Sequence, residues 1–204
     1  MIIDEVRRIL GRHTPRRLRQ GDRSRAAVLV PLFLAEGNPR ILLVKRTDRV
    51  PTHQGQIAFP GGRWQEEDQD IVETALREAE EEIGLQRKDV RILGELDDAT
   101  TRISNFLVSA VVGAIPHPYP FRLDPAEISE LFSVPLDLLR DPEAFRQEER
   151  IEGGRTVRAL MRREGDHVIW GVTARILDHL GHLLFRAPLQ EKAGQRHPPP
   201  GRTT

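Results

Sequence analysis

From Asp70 to Gly84 the chain reads DIVETALREAEEEIG, a stretch that has to be a helix with one face in a core. Asp70 followed by Glu73 has capping-box spacing, and Gly84 after the last periodic residue supplies a left-handed stop, so a helix is predicted over 71–83. At 100° per residue, Ile71, Val72, Ala75, Leu76, Ala79 and Ile83 fall within one arc of roughly 140°, and that arc must be buried. Glu78 and Glu82 lie one turn apart on its edge, with Glu81 next to them on the side away from the core. Glu80 and Glu73 project from the other edge. Like charges at such spacing each cost a helix about 0.2 to 0.5 kcal/mol, and the repulsion grows where water is scarce. A divalent cation would offset it. With no cysteine in the chain and no paired histidine, oxygen ligands point to Mg²⁺ or Mn²⁺ rather than zinc. A solvated acidic face is the other reading of the same residues.

The rest of the composition narrows the class. A chain of 204 residues suits one domain of ordinary size, and 38% hydrophobic with 30% charged residues fits a soluble globular protein. No apolar run approaches the ~18 to 20 residues that span a bilayer, so no membrane association is expected. The opening MIIDEVRRILGRHTPRR carries charge where an export signal needs a continuous apolar segment, and the absence of cysteine excludes disulfides and thiol nucleophiles. A cytoplasmic location is expected. Net charge is zero, so no global field draws nucleic acid. Arginines 7, 8, 12, 16, 17, 19, 23 and 25 do form a basic N-terminal segment, read as a solvated terminus or as a contact for phosphate or RNA.

Along the chain, a short helix is predicted from Ile3 to Leu10, and RAAVLVPLF and RILLVKR read as a hairpin turning at AEGNP. The loop VPTHQGQIAFPGG is too rich in glycine and proline for regular structure. Strands follow at VRILGEL and NFLVSAVVGAI, the second a nearly continuous apolar run that implies burial on both faces. PAEISELFSVPLDLL is predicted as a short helix followed by an extended piece. TVRALMRREGDHVIW is predicted as a second hairpin turning at EGD, with Trp170 assigned to the core. A final helix is expected from Gly171 to Leu184, with Ile176, Leu177, Leu180 and Leu184 on one face. The divisions are an N-terminal helix and basic segment over 1–25, the main domain over 26–190, and a disordered tail over 191–204.

The segment REAEEEIGL, Arg77 to Leu85, resembles the core of the Nudix box. Upstream, the usual positions of the box's first glutamate and glycine hold Gln69 and Arg63. With one residue inserted, Asp68 and Gly62 align instead, a spacing similar to that of coenzyme A pyrophosphatases within the family. LLVKRTDRVPTHQGQIAFPGG, Leu42 to Gly62, also resembles the motif that precedes the box in that branch, with Arg46, Gly55 and Phe-Pro-Gly-Gly in register. Val44, Thr47 and Pro51 depart from it, Pro51 standing where an arginine is usual. SNFLVSAVVG, ELFSVPLDLL and IWGVTARIL are similar to later segments, so the likeness spans about residues 26 to 185.

The resemblance implies an α/β fold, a Nudix-type α/β/α sandwich with a mixed β-sheet, and metal-dependent hydrolysis of coenzyme A or its derivatives to 3′,5′-ADP and 4′-phosphopantetheine. It implies Glu78 and Glu82 as principal metal ligands, Glu81 as a third ligand or activator of water, and Arg77 as the group that orients a glutamate. Glu81, Glu82 and Arg77 are thus the expected catalytic set, and Glu78, Glu81 and Glu82 the expected metal set. Gly61 and Gly62 would let backbone approach metal or phosphate. Lys45, Arg46 and Arg49 are candidates for the 3′-phosphate. His53 reads as a loop hydrogen bonder rather than a base, and Glu127 and Glu130, which could reach the site from a later loop, are read instead as part of an ordinary amphipathic turn with Ile128 and Leu131. The expected partner is a small nucleotide diphosphate and not nucleic acid, and a homodimer is compatible with the sequence. Two alternatives stay open: hydrolysis of another diphosphate such as ADP-ribose or a dinucleotide, which Pro51 favours, and a non-catalytic nucleotide-sensing domain.

Overall fold

The computed structural model describes residues 3–47, 55–101, 104–152 and 155–186. Strands β1 (Ser24–Ala35) and β2 (Asn38–Arg46) form the expected hairpin, closed by Glu36 and Gly37 in the positive-φ region. Branched apolar residues dominate both strands, and their alternation divides them between two cores. Ala27, Leu29 and Phe33 of β1, with Leu42 and Val44 of β2, face one side; Val30 and Leu32, with Ile41 and Leu43, face the other.

Nine further strands are placed around and beyond this hairpin among the described residues. β1 pairs in parallel with β7 (Phe106–Ala114), and β7 pairs antiparallel with β5 (Arg91–Glu95) and β6 (Ala99–Thr100). β3 (Ile57–Ala58) and β8 (Ile128–Pro135) pair with β2, and β4 (Gly61–Arg63) pairs with the first half of β1. The result is an eight-stranded mixed sheet. Helix α1 (Ile3–Leu10) and helix α3 (Gly171–Gly181) cover one face, through Ile3, Val6, Leu10, Ile176, Leu177 and Leu180. Helix α2 (Ile71–Ile83) covers the other through Ala75, Ala79 and Ile83. A three-stranded sheet of β9 (Arg146–Glu152), β10 (Arg155–Glu164) and β11 (His167–Trp170) leads directly into α3. The architecture is α/β/α with a mixed sheet, and helix α1 packs into the same core as α3 rather than standing apart.

Four expectations change. Residues 128–135 are a strand rather than a helix, because seven registered positions along β2 satisfy their backbone, and only then does a 3₁₀ turn follow at Leu136–Arg140. The glycine-rich loop contains β3 and β4. Gly61 has φ 154° and its Cα hydrogens face β1 so closely that a Cβ would stand 2.4 Å from the Ala27 carbonyl oxygen. Strand β9 had no counterpart in the sequence reading, its RQEERIE segment being too polar to signal burial. The last helix is α-helical to Gly181 and continues as a π turn over His182–Arg186, with Leu184 still buried. Arg49, His53, Pro51 and the tail 191–204 lie outside the described residues.

Candidate active site

Helix α2 begins and ends by local chemistry. Asp70 Oδ1 accepts hydrogen bonds from the backbone N–H groups of Val72 and Glu73, both at 2.9 Å, and Gly84, at φ 69°, donates its N–H to the carbonyl of Glu80. Glu73 closes the cap by accepting from the Gln69 N–H, one residue earlier than a standard capping box. With both ends set, the phase of the helix is set, and Ala75, Ala79 and Ile83 are fully buried while Ile71 is half-buried.

That phase turns Glu82 inward. Its carboxylate is buried, with one oxygen 3.0 Å from Arg46 Nη1 and the other accepting the Gly61 N–H at 3.0 Å. Burial is the larger influence, and despite these two partners it pushes the Glu82 carboxyl up to about 7. Glu78, one turn earlier, presses against Gly62. A Cβ on Gly62 would lie 2.2 Å from Glu78 Oε2, so only glycine leaves that carboxylate its place. Burial raises the Glu78 carboxyl as well.

Arg77 holds the outer part of the cluster. Its Nη1 donates to Glu78 Oε1 at 2.9 Å and Glu81 Oε2 at 3.1 Å, while Nε and Nη2 grip the two oxygens of Asp68 at 2.9 and 3.0 Å. Asp68 is buried and also accepts from Thr74 Oγ1 and the Gln65 N–H. The Arg77 fork is the first cause that lowers the Asp68 carboxyl to about 2. Glu81 stays 58% exposed, with its carboxylate facing solvent. Glu80 and Glu73 are on the far edge, both paired with Arg87.

The structure therefore brings Arg46, Gly61, Gly62, Arg77, Glu78, Glu81 and Glu82 into one cluster. It also adds Glu127, so that of its two readings the one from a later loop holds and the ordinary amphipathic turn does not. Glu127 Oε2 lies 3.1 Å from Arg46 Nη2, so Arg46 bridges Glu82 and Glu127 instead of reaching into open space. Only the pairing of Arg46 with Ile128 across β2 and β8 puts Glu127 there, and no local signal announces it. The Lys45 carbonyl accepts from Ser129 Oγ, and among the described residues no hydrogen bond joins Lys45 to the carboxylate cluster. Beside the cluster a cavity of about 470 Å³ is lined by Arg46, Gly61, Gly62, Arg63, Phe106 and Trp170. Trp170, expected in the core, is only half-buried and faces this space. The basic N-terminal segment is partly consumed internally: Arg17 pairs with Glu95 and Asp98, and Arg25 stacks on Trp64.

A mixed sheet between helices, with a glycine pair packed against a buried and a half-buried glutamate on one helix, defines a class of hydrolase fold. Residues 23–153 match the NUDIX domain family model, and the chain belongs to the Nudix family. It is 35% identical over 166 residues to Uncharacterized Nudix hydrolase NudL of Photorhabdus laumondii, covering 81% of this chain and 87% of that one. A protein of the same name from Yersinia pestis is 36% identical over 156 residues, 76% of this chain and 77% of that one. The crystal structure of a NUDIX hydrolase from Alicyclobacillus acidocaldarius shares the fold, with a TM-score of 0.54, 20% identity, and coverage of 82% of this chain and 99% of that one. The activity class is that of a Nudix pyrophosphohydrolase. No helix among the described residues is long and apolar enough to cross a membrane.

Proposed function

We propose that this chain hydrolyses the diphosphate bond of coenzyme A or a derivative, releasing 3′,5′-ADP and 4′-phosphopantetheine or its acyl form. The observation that carries the reading is the meeting of two segments. Arg46, Gly61 and Gly62, from the stretch resembling the coenzyme A motif, are in contact with Glu78 and Glu82, from the Nudix box. A cavity with room for an extended ligand adjoins them and is edged by Arg46 and Arg63, which suits a polyanion.

The donor set fits a hard divalent ion. Glu78 and Glu82 offer carboxylate oxygens withdrawn from water, burial raises their proton affinity and the neighbouring carboxylates add to it, and Gly62 leaves space beside them. Glu78, Glu81 and Glu82 would hold Mg²⁺ or Mn²⁺, which when bound supplies charge neutralisation at the phosphoryl oxygens and a more acidic water. The protein's own contribution is positioning. The Gly61 N–H and Arg46 fix Glu82; Arg77, itself locked by Asp68, fixes Glu78 and holds one oxygen of Glu81; and the exposed Glu81 carboxylate so positioned would orient or deprotonate the attacking water. Arg77 is a positioning residue in this reading, because its guanidinium is engaged by Asp68, Glu78, Glu81 and the Arg63 carbonyl at once and so holds the carboxylates in place.

Arg46 takes the same role in this reading, so recognition of the 3′-phosphate falls to Lys45 and Arg49, with Arg63 beside the cavity. A cytoplasmic location and a small-molecule substrate go with the proposal. Pro51 favours a second reading, hydrolysis of another nucleoside diphosphate derivative such as ADP-ribose or a dinucleotide. The comparison of coenzyme A with dephospho-coenzyme A separates the two. The substrates differ only in the 3′-phosphate, and a charge-assisted contact is worth ~1.5 to 3 kcal/mol, roughly 10- to 150-fold in kcat/KM. We expect coenzyme A to be preferred by that margin, the preference to shrink in Arg49→Ala, and Arg46→Ala to slow both substrates alike. Equal kcat/KM for the two would end the coenzyme A reading in favour of the broader one.

A further inference from the structure

Three ligand-type side chains remote in sequence meet on the α1 and α3 side of the sheet, away from the carboxylate cluster. His13 follows α1, Asp97 lies between β5 and β6, and His179 is in the last turn of α3. His13 Nε2 is 2.9 Å and His179 Nε2 3.7 Å from the same oxygen, Asp97 Oδ1, and one ligand atom from each residue lies within 4.8 Å of the others. The Arg16 backbone N–H, at 2.9 Å, fixes Asp97 Oδ1 in place, and the two imidazoles meet edge to face with centroids 5.7 Å apart.

One atom in this group is unaccounted for. His179 Nε2 is buried and has no hydrogen-bond partner among the described residues. A polar nitrogen withdrawn from water with nothing to bind costs about 1 to 3 kcal/mol, a cost that a folded chain rarely leaves unmet. A ligand placed between this nitrogen and Asp97 would meet it.

We propose that His13, Asp97 and His179 form a binding site for a divalent transition ion of the zinc type, distinct from the hard-metal site on α2. Two imidazoles and one carboxylate match Zn²⁺, Co²⁺ or Ni²⁺ and are a poor set for Mg²⁺. Bonds of about 2.0 to 2.1 Å in a tetrahedral shell put neighbouring ligand atoms roughly 3.3 Å apart, and the two spacings to Asp97 bracket that value. A cavity of about 310 Å³ lined by Leu18, Asp97, Asp98, Arg175 and His179 adjoins the group and provides room for a water as a fourth ligand. Such an ion ties the segment after α1 to α3 and to the β5–β6 connection, so its role is to staple the N-terminal segment to the domain. Histidines at positions 13 and 179 are far apart in the chain, so no local spacing pairs them.

The test uses the full chain with any affinity tag removed, stripped of metal by EDTA, and titrated with Co²⁺ at pH 8, where imidazoles are neutral. The expected result is one equivalent of Co²⁺ giving an intense visible band of a tetrahedral centre, displaced by Zn²⁺ and not by a thousandfold excess of Mg²⁺. The band should vanish in His13→Gln and His179→Gln and survive in the double variant Glu78→Gln, Glu82→Gln. Zn²⁺ at about 100 times its Kd should raise Tm by roughly 5 to 10 °C in the wild type and not in His179→Gln, whose Mg²⁺-dependent hydrolysis is unchanged. Asp97→Asn, with circular dichroism as the check on folding, carries the same test should His179→Gln not fold. The proposal is overturned by an absent band, which leaves a plain His–Asp hydrogen bond. It is equally overturned by a band that depends on Glu78 and Glu82 instead, or by the same Zn²⁺ shift in wild type and variants.

Discussion

Asp68 shows how far a residue outside the reacting set can matter. It is buried, its two oxygens are gripped by Arg77, and Arg77 in turn holds Glu78 and Glu81. Asp68→Asn leaves a mostly buried guanidinium short of its counter-charge, and loss of one partner of such a pair costs about 3 kcal/mol or more. Urea unfolding at pH 7 is expected to show that loss, with Glu81→Gln costing under about 1 kcal/mol because its carboxylate is exposed. The sign with pH follows from the low Asp68 carboxyl: its contribution is complete above about 4 and disappears as pH falls towards 2. Glu82 acts in the opposite sense. Held near 7 in the folded state against an ordinary 4.5, it favours the metal-free fold below 4.5, and that advantage is lost as pH rises through 7. The EDTA-treated wild type should therefore lose Tm relative to Glu82→Gln between pH 5 and 8, and added Mg²⁺ should restore it in the wild type alone. A Tm difference that stays flat across this window would remove burial of Glu82 as the cause.

At the scale of elements, the site depends on a short strand against a helix. β4 holds Gly61 and Gly62 between β1 and α2, and each glycine is required for a different reason. An added Cβ at Gly61 meets backbone, at 2.4 Å from the Ala27 oxygen and 2.6 Å from Val28 Cα, in a φ region that side chains avoid. Gly61→Ala should cost stability, about 2 kcal/mol or more by thermal unfolding. At Gly62 the Cβ meets the movable Glu78 carboxylate, so Gly62→Ala should leave Tm nearly unchanged and lower turnover, on the order of 10-fold or more. The reverse pattern would show that Gly62 serves the turn and not the carboxylate. Helix α2 was legible in the sequence to the residue, because its caps are local and its apolar period is tight. Strand β8 was not, since Ile128, Leu131 and Phe132 suit a helical turn as well as a strand, and pairing with β2 decides between them. The choice between the two readings of Glu127 depends on the same pairing. β9 is a polar strand whose partner, β10, is known only from the fold.

On the scale of the whole molecule, the mixed sheet works as a partition. Its α2 face carries the carboxylates, its other face carries α1, α3 and the His13–Asp97–His179 group, and the cavity sits where β4, β7 and the end of β11 come together. The sequence resemblance anticipated the family and the box because those signals are contiguous in the chain. It did not anticipate that Arg46 would be spent on Glu82 and Glu127, since this depends on three elements meeting. The central claim is that buried Glu82, not the exposed edge of the same helix, serves hydrolysis of a coenzyme A diphosphate. Mass spectrometry of products from coenzyme A with Mg²⁺, run in parallel on wild type, Glu82→Gln and Glu80→Gln, tests it most directly. The expected result is 3′,5′-ADP and 4′-phosphopantetheine from the wild type and Glu80→Gln at similar rates, with Glu82→Gln slower by on the order of 100-fold. Equal losses in the two variants, or no cleavage of coenzyme A by a wild type that cleaves ADP-ribose or a dinucleotide, would contradict it.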